Sequence, residues 1–283
     1  MPKPSDPGPV LVTGCSTGVG RAAALAFCRA GFTTFATARD PSQLDPLREA
    51  GCRTLALDVT DESARIAAVN AVEAEFGAVG ILVNNAGYGQ YGPLEEISPE
   101  AIRKQFETNV FGGLRLAQLV LPAMRSAGRG RIVNVSSVAG RVSIPGGGAY
   151  HATKFAIEAL ADALRPEVQP FGIDVVNILP GPIATHFEAT LVKSIPDTGA
   201  QSPYRDFKIN LERKMREFLR PGRFGVLTPE RVARAILKAA TATHPRARYS
   251  VGLYAQFGPI GRALTPDRLV DVALRRELTP RKE

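Results

Sequence analysis

The chain has 283 residues, 45% hydrophobic and 22% charged, with a formal net charge of +8. That balance suits one large globular α/β domain and excludes a disordered chain, and no stretch approaches the roughly eighteen consecutive apolar residues of a membrane span. The basic residues are spread out, and the densest groups, Arg213-Lys214-Met215-Arg216 and Arg275-Arg276 to Arg281-Lys282, lack interleaved aromatics, so solvated helix faces are expected there rather than a nucleic-acid surface.

The run Met1 to Pro9 has no apolar signal-peptide core, and its prolines predict a disordered tail over residues 1–8. Val10-Leu11-Val12 reads as a buried strand. It runs into Thr13-Gly14-Cys15-Ser16-Thr17-Gly18-Val19-Gly20. Ala22, Ala23, Leu25, Ala26 and Phe27 then keep a helical pattern up to Ala30-Gly31, where the glycine suits a C-cap. Strand, glycine-rich turn and helix in that order fit a phosphate site. Glycines let the backbone approach a pyrophosphate, and the helix start offers free N–H groups.

Phe32 to Thr37 is the second strand, ending at Ala38-Arg39-Asp40. An acidic residue there accepts bonds from the ribose of NAD, whereas an arginine suits the 2′-phosphate of NADP. Arg39 favours NADP, and Asp40 beside it keeps NAD open. A helix follows Pro41 through Leu44 and Leu47. Arg53 to Leu57 is the third strand, ended by Asp58-Val59-Thr60. Thr60 or Asp61 caps a helix from Glu62 to Phe76, with Gly77 after it. Val79 to Val83 is the fourth strand and closes in Asn84-Asn85-Ala86-Gly87, placed either to meet a ligand at the sheet edge or to cap a turn.

Ser98 to Ser126 keeps one long helical pattern that starts at Ser98-Pro99-Glu100. Asn109, followed by paired glycines, is costly inside it and predicts a kink or a purpose. Arg131 to Val135 is strand five, Ala149 to Val168 a helix, and Ile173 to Leu179 strand six, which exits into Pro180-Gly181-Pro182-Ile183-Ala184-Thr185. Residues 184–225 make a long connection, carry several apolar side chains, and are expected to form a substrate lid. A helix from Pro229 to Ala242, a strand at Tyr249 to Gly252 and a helical segment around Pro266 to Arg276 follow, with a C-terminal extension over 258–283. The regular alternation predicts an α/β fold: a Rossmann-type, doubly wound, mainly parallel seven-stranded sheet with helices on both faces, as one domain over residues 9–283.

Cys15, Cys28 and Cys52 form no disulfide framework, and His151, His186 and His244 no metal spacing, so no metal is expected and the compartment reads as reducing and cytoplasmic. Tyr150 and Lys154 lie four apart on one helix face. A phenol has a pKa of about 10, and a nearby ammonium favours its phenolate. A phenol so tuned can exchange a proton with an alcohol or carbonyl. Ser137, thirteen residues earlier at the end of strand five, can hold the reacting oxygen. Alone, the pair also suits a solvated helix surface.

Taken together, these motifs resemble the short-chain dehydrogenase/reductase family over about residues 9–255. The resemblance rests on the TGxxxGxG turn at Thr13 to Gly20, on Asn84-Asn85-Ala86-Gly87, on Asn109, Ser137, Tyr150 and Lys154, and on Pro180-Gly181. It implies reversible hydride transfer between a nicotinamide cofactor, NADP with NAD as the alternative, and an alcohol or carbonyl carbon. Tyr150 would be the acid/base, Ser137 would orient the substrate oxygen, Lys154 would hold the nicotinamide ribose and depress the Tyr150 pKa, and Asn109 would support a proton-relay water. Gly14, Ser16, Thr17, Gly18 and Val19 would line the phosphates and ribose, Asp58 and Val59 the adenine, Asn85, Ala86 and Gly87 the centre of the cofactor, and Pro180, Gly181, Ile183 and Thr185 the nicotinamide end. Residues 37–41 and the insert are similar to the 17β-hydroxysteroid and retinol dehydrogenase branch, which implies a hydrophobic alcohol, ketone or aldehyde of steroid, retinoid or lipid type. Tyr88, Val138, Arg141, Ile144, His186 and Phe187 are candidate pocket residues. Family members pair through the helices carrying Asn109 and Tyr150, which implies a homodimer or homotetramer. Two other readings stay open: a dinucleotide sensor without catalysis, and a sugar-nucleotide epimerase or dehydratase, against which the glycine spacing argues.

Overall fold

The computed structural model describes residues 8–185, 187–197, 199 and 201–278. The predicted tail, apart from Gly8, and His186 lie outside the described residues. Seven strands, β1 (Val10–Val12), β2 (Thr34–Ala38), β3 (Arg53–Ala56), β4 (Ile81–Asn84), β5 (Gly130–Val135), β6 (Ile173–Pro180) and β7 (Arg248–Val251), form one sheet in the order β3-β2-β1-β4-β5-β6-β7. Every pairing is parallel, so the sheet is wholly rather than mainly parallel. Parallel neighbours need crossover connections, and helices supply them. These are α1 (Gly18–Arg29), α2 (Asp45–Glu49), α3 (Glu62–Phe76), α4 (Pro99–Phe106), α5 (Gly112–Ser126) and α6 (Gly148–Val168). Beyond β6 come α7 (Phe187–Lys193), α8 (Arg205–Phe218), α9 (Pro229–Thr241), α10 (Leu253–Leu264) and α11 (Asp267–Leu278).

The period of two in the strands sorts the core into two layers. Val10 and Val12 pack with Phe27 of α1 and with Val232 and Ile236 of α9. Leu11, between them, points to the other layer and packs with Val69 of α3, Leu116 of α5 and Ala161 of α6. The strand order reverses between β1 and β4, both of which pair with neighbours in register. That reversal opens a crevice beyond their carboxyl ends, where Thr13 and Asn85 stand.

Three elements differ from the sequence expectation. The helical run 98–126 is interrupted at Glu107–Phe111 by one π-helical turn, which carries the buried Asn109. The second strand starts at Thr34 because Phe32 turns back onto Phe27 of α1, ring centroids 5.6 Å apart. Helix α10 continues through Pro259 and two glycines, residues that argue against a helix in the sequence. Among the described residues no helix is long and apolar enough to cross a membrane.

Residues 184–226 leave the sheet edge as an excursion closed at its base. Ala184 N donates to Leu227 O at 2.9 Å, and Leu227 N to Pro182 O at 2.8 Å. Its helices add a third apolar cluster in which Leu191, Leu211, Met215 and Leu219 surround Tyr91. Tyr91 N donates to Ser194 Oγ at 2.8 Å, and the Lys208–Glu96 ion pair, also 2.8 Å, ties α8 to the loop after β4.

Candidate active site

One cavity of about 1130 Å³ lies over the carboxyl edge of the sheet and beneath the excursion. The first βα turn gives it Gly14, Ser16, Thr17, Gly18 and Val19. Gly14 has φ +69°, and a Cβ there would meet Ala86 Cα at 2.9 Å, so only glycine lets the two turns touch. Thr13 Oγ accepts from Asn85 N and Ala86 N, both at 2.9 Å, and Asn85 Nδ2 returns a bond to Thr13 O at 2.8 Å. Thr17 makes no side-chain cap on α1, and no acidic residue sits in that helix's first turn. The first amides of α1 are therefore left to an anion.

Arg39 and Asp40 both border the cavity, and the structure separates them. Asp40 caps the short 3₁₀ helix behind it: its carboxylate accepts from Ser42 N at 3.0 Å, Ser42 Oγ at 2.7 Å and Gln43 Nε2 at 3.4 Å. The Ser42 hydroxyl, chief among these donors, holds the Asp40 carboxyl below its ordinary pKa. Arg39 is exposed and has no ion-pair partner among the described residues. Asp58 and Val59, after β3, and Asn85, Ala86 and Gly87, after β4, continue the same wall; Pro180, the last residue of β6, and Gly181, Ile183 and Thr185, after it, face them.

Ser137, Tyr150 and Lys154 meet at the centre of the cavity. Ser137 follows β5 in extended backbone and accepts from Ala139 N at 3.1 Å, while its hydroxyl is hydrogen-bonded to the Tyr150 phenol. Lys154 is buried and donates from Nζ to Val135 O at 2.9 Å. Its ammonium lies 5.7 Å from the centre of the Tyr150 ring. Asn109 stands behind them. Its Nδ2 donates to Tyr88 O at 2.9 Å and Thr153 Oγ at 3.1 Å, its Oδ1 accepts from Tyr88 N at 3.0 Å, and Thr153 passes a bond on to Tyr150 O at 2.7 Å. The π turn thus fixes the loop after β4 to helix α6.

Burial dominates the titration of the pair. It pushes the Tyr150 phenol up to about 12, against the Ser137 hydrogen bond, and pushes Lys154 down to about 8, against the Glu158 carboxylate. The lowering influence on the Tyr150 phenol is the Ser137 hydrogen bond rather than Lys154, and burial outweighs it. The phenol holds its proton at neutral pH.

The far end of the cavity is apolar. Tyr88, Val138 and Ile144 line it, but Arg141 does not; it follows the 3₁₀ turn at 138–140 and is exposed to solvent. Phe187 starts α7, and its neighbour His186 is the candidate outside the described residues. Leu191, Met215 and Leu219, within the stretch expected to form the lid, complete this wall together with Tyr91, His151 and Tyr254, which the sequence did not reveal. The six come from five separate stretches, and of the three outside the lid only His151, adjacent to Tyr150, carries a positional hint. Its Nδ1 lies 2.7 Å from Val142 O, and burial holds the ring below its usual pKa. Among the described residues no cluster of three or more His, Cys, Asp or Glu could hold a metal ion.

Residues 9–195 match the family model described as short chain dehydrogenase. The chain belongs to the short-chain dehydrogenase family. It is an oxidoreductase acting on CH–OH groups, and its cofactor is a nicotinamide dinucleotide. This dehydrogenase is 36% identical over 266 residues to an uncharacterized oxidoreductase, YbbO, of Escherichia coli K12, covering 94% of this chain and 93% of that one. It is 35% identical to a 3-ketodihydrosphingosine reductase of Bacteroides thetaiotaomicron (94% and 96% covered) and 32% identical to an NADPH-dependent 3-dehydrocapnine reductase of Ornithobacterium rhinotracheale (95% and 96%). A short-chain dehydrogenase from Streptomyces avermitilis matches its structure with a TM-score of 0.79 at 35% identity, covering 95% and 96% of the two chains. A Burkholderia phymatum dehydrogenase in complex with NAD matches with a TM-score of 0.77 at 26% identity (98% of each), and a metagenomic oxidoreductase in complex with NADP with 0.68 at 25% (87% and 97%).

Proposed function

We propose that this short-chain dehydrogenase is an NADPH-dependent reductase of hydrophobic, lipid-like ketones or aldehydes. The observation that carries the reading is the single cavity, which joins the glycine turn and Arg39 at one end to Tyr91, Leu191, Met215 and Leu219 at the other, with Tyr150 between. The residues at the polar end fit a phosphorylated dinucleotide. The uncapped start of α1 suits a pyrophosphate, and Arg39 suits the additional phosphate because Asp40 is already engaged. One relative is an NADPH-dependent 3-dehydrocapnine reductase and another a 3-ketodihydrosphingosine reductase, which supports the same choice.

When bound, the nicotinamide supplies the hydride. Tyr150, protonated at neutral pH, gives its proton to the carbonyl oxygen as that oxygen gains charge. Ser137, bonded to the phenol, holds the oxygen in place. Lys154 holds the ribose and reprotonates Tyr150, and Asn109 supports that relay by fixing Tyr88 and Thr153. The excursion over 184–225 acts as the lid. Two copies pair through α5 and α6, next to the exposed Phe111, Phe155 and Leu160, which sedimentation at several concentrations would test.

The test is a titration with NADPH and NADH, followed by NADPH oxidation with short- and long-chain ketones, 3-ketodihydrosphingosine among them, and Tyr150→Phe as control. Tighter NADPH binding and turnover that rises with chain length are expected. Preference for NADH, or turnover only with short polar ketones, overturns the reading. Binding without turnover on any substrate would favour a dinucleotide sensor instead.

A further inference from the structure

Three asparagines share one register line across the sheet. Asn84 of β4 is opposite Asn134 of β5, Asn134 opposite Asn177 of β6, and Asn177 opposite Arg248 of β7. Their side chains bond in series. Asn84 Nδ2 donates to Asn134 Oδ1 at 3.1 Å, Asn134 Nδ2 to Asn177 Oδ1 at 3.1 Å, and Asn177 Nδ2 to Glu158 Oε1 on α6 at 2.8 Å. Arg248 Nε closes on Glu158 Oε2 at 2.7 Å. Asn177 is 0% and Glu158 4% exposed, so the line ends in the interior between sheet and helix. A polar ladder in such a place is costly unless it is satisfied.

The line has a direction. A carboxylate only accepts, so Asn177 must donate to it, and each amide behind must donate the same way. Aligned hydrogen bonds polarise one another, and their positive ends point at Glu158. Glu158 follows Lys154 by one helical turn on the same face of α6. Lys154 Nζ in turn donates to Val135 O, the residue next to Asn134. The asparagine line therefore grips both supports of Lys154: the strand that accepts its bond and the carboxylate one turn along α6.

We propose that Glu158 is a positioning residue whose carboxylate, fixed by the asparagine line, keeps Lys154 an ammonium turned toward Val135. The inference rests on the role given to Lys154 above. The alternative is a plain clamp between α6 and β7 through the Glu158–Arg248 pair. Few charges face the two residues. On α6 itself stand Tyr150 and Asp162, the latter also bonded to Arg248 and Arg165. From β7 comes Arg248; β5 and β6 present only Asn134, Asn177 and the Val135 carbonyl, and Gly140 packs over both residues without a charge. Glu158 favours the protonated lysine and Arg248 opposes it, which gives the two members of one ion pair opposite effects on Lys154.

That opposition is the test. In the full-length protein labelled with ¹³C,¹⁵N-lysine, the Lys154 signal is identified by its loss in Lys154→Met and titrated by NMR. Its midpoint is expected near about 8 in the parent. Glu158→Gln should move it down by about one pH unit, and Arg248→Gln should move it up by a smaller amount. The pH limb of NADPH-dependent turnover should follow in the same two directions. If both variants lower the melting temperature and leave the Lys154 midpoint where it was, Glu158 is a clamp and the proposal fails. Should Glu158→Gln not fold, the Arg248→Gln arm decides alone: an upward shift supports the proposal and no shift overturns it. Because the titration needs no substrate, shifts of the expected sign without turnover on any ketone would uphold the positioning role and count only against the reductase reading.

Discussion

The two walls of the cavity are built in different ways. The wall formed by the first βα turn and the loop after β4 is locked at its backbone: the Thr13 and Asn85 side chains each bond the other's main chain, and Gly14 lies against Ala86 too closely for any side chain. The wall formed by residues 184–226 is held by apolar packing of Leu191, Leu211, Met215 and Leu219 and by side-chain ties of Ser194, Ser202, Tyr204 and Lys208 to the loop after β4. A backbone lock admits one ligand shape, because moving one group unsatisfies several others. An apolar cluster tolerates exchange of side chains of similar volume. One fold can thus keep its cofactor while its substrate changes, and the substitutions below should fall on one side or the other of that division.

The largest effect belongs at the junction of the walls. Tyr150→Phe removes the proton donor and keeps the ring, so kcat should fall by about 10²–10⁴-fold. Calorimetric titration should show the NADPH Kd nearly unchanged; a matching loss of binding would place Tyr150 with the cofactor wall instead. Next comes Arg39→Ser. A charge-assisted bond to a phosphate is worth about 1.5–3 kcal/mol, or about 10- to 100-fold in affinity. NADPH binding should weaken by that factor and NADH binding should not. Equal weakening of both would show that Arg39 does not read the phosphate.

The same division explains what was legible in the sequence. The sheet, the glycine turn, the asparagine edge and the Ser137, Tyr150 and Lys154 group depend on residue type at fixed spacing, and backbone geometry leaves them little choice. The break at Asn109 was also visible, since an asparagine and paired glycines weaken a helix, although its form as a π turn was not. Arg39 and Asp40 look equivalent side by side. Only the cap made with Ser42 and Gln43 tells them apart, and the Asp-Pro-Ser-Gln run is its signal in retrospect. The stretch 184–225 was legible as apolar, but which of its side chains meet Tyr91 and Tyr254 was not, because these residues are far apart in sequence and each reads on its own as ordinary core. The titration of Tyr150 is harder to read for a related reason: spacing places an ammonium near the phenol, whereas burial, a property of the whole fold, raises its pKa.

Gly14→Ala tests the lock itself. The residue has φ +69°, and a Cβ would press on Ala86 Cα, where backbone cannot yield cheaply. Strain of this kind costs about 1–3 kcal/mol. It should appear as a lower melting temperature together with an NADPH Kd raised about tenfold. A stable variant with unchanged affinity would mean that the two turns are not held rigidly against each other.

The smallest effect is expected across the cavity, at Phe218→Ala. Phe218 ends α8, lines the apolar wall and meets Tyr254 edge-on, with ring centroids 5.3 Å apart. An aromatic pair of this kind contributes about 0.5–1.5 kcal/mol. Truncation also removes apolar surface that a long chain would cover in the ground state and the transition state alike, so KM for a long-chain ketone should rise by about threefold with kcat unchanged. A short-chain ketone that does not reach the wall should show no change, and neither should NADPH binding. A fall in kcat with the long substrate would mean that α8 does more than cover the chain: closure of the excursion would then help to place the carbonyl against Tyr150, and the two walls would be coupled rather than independent.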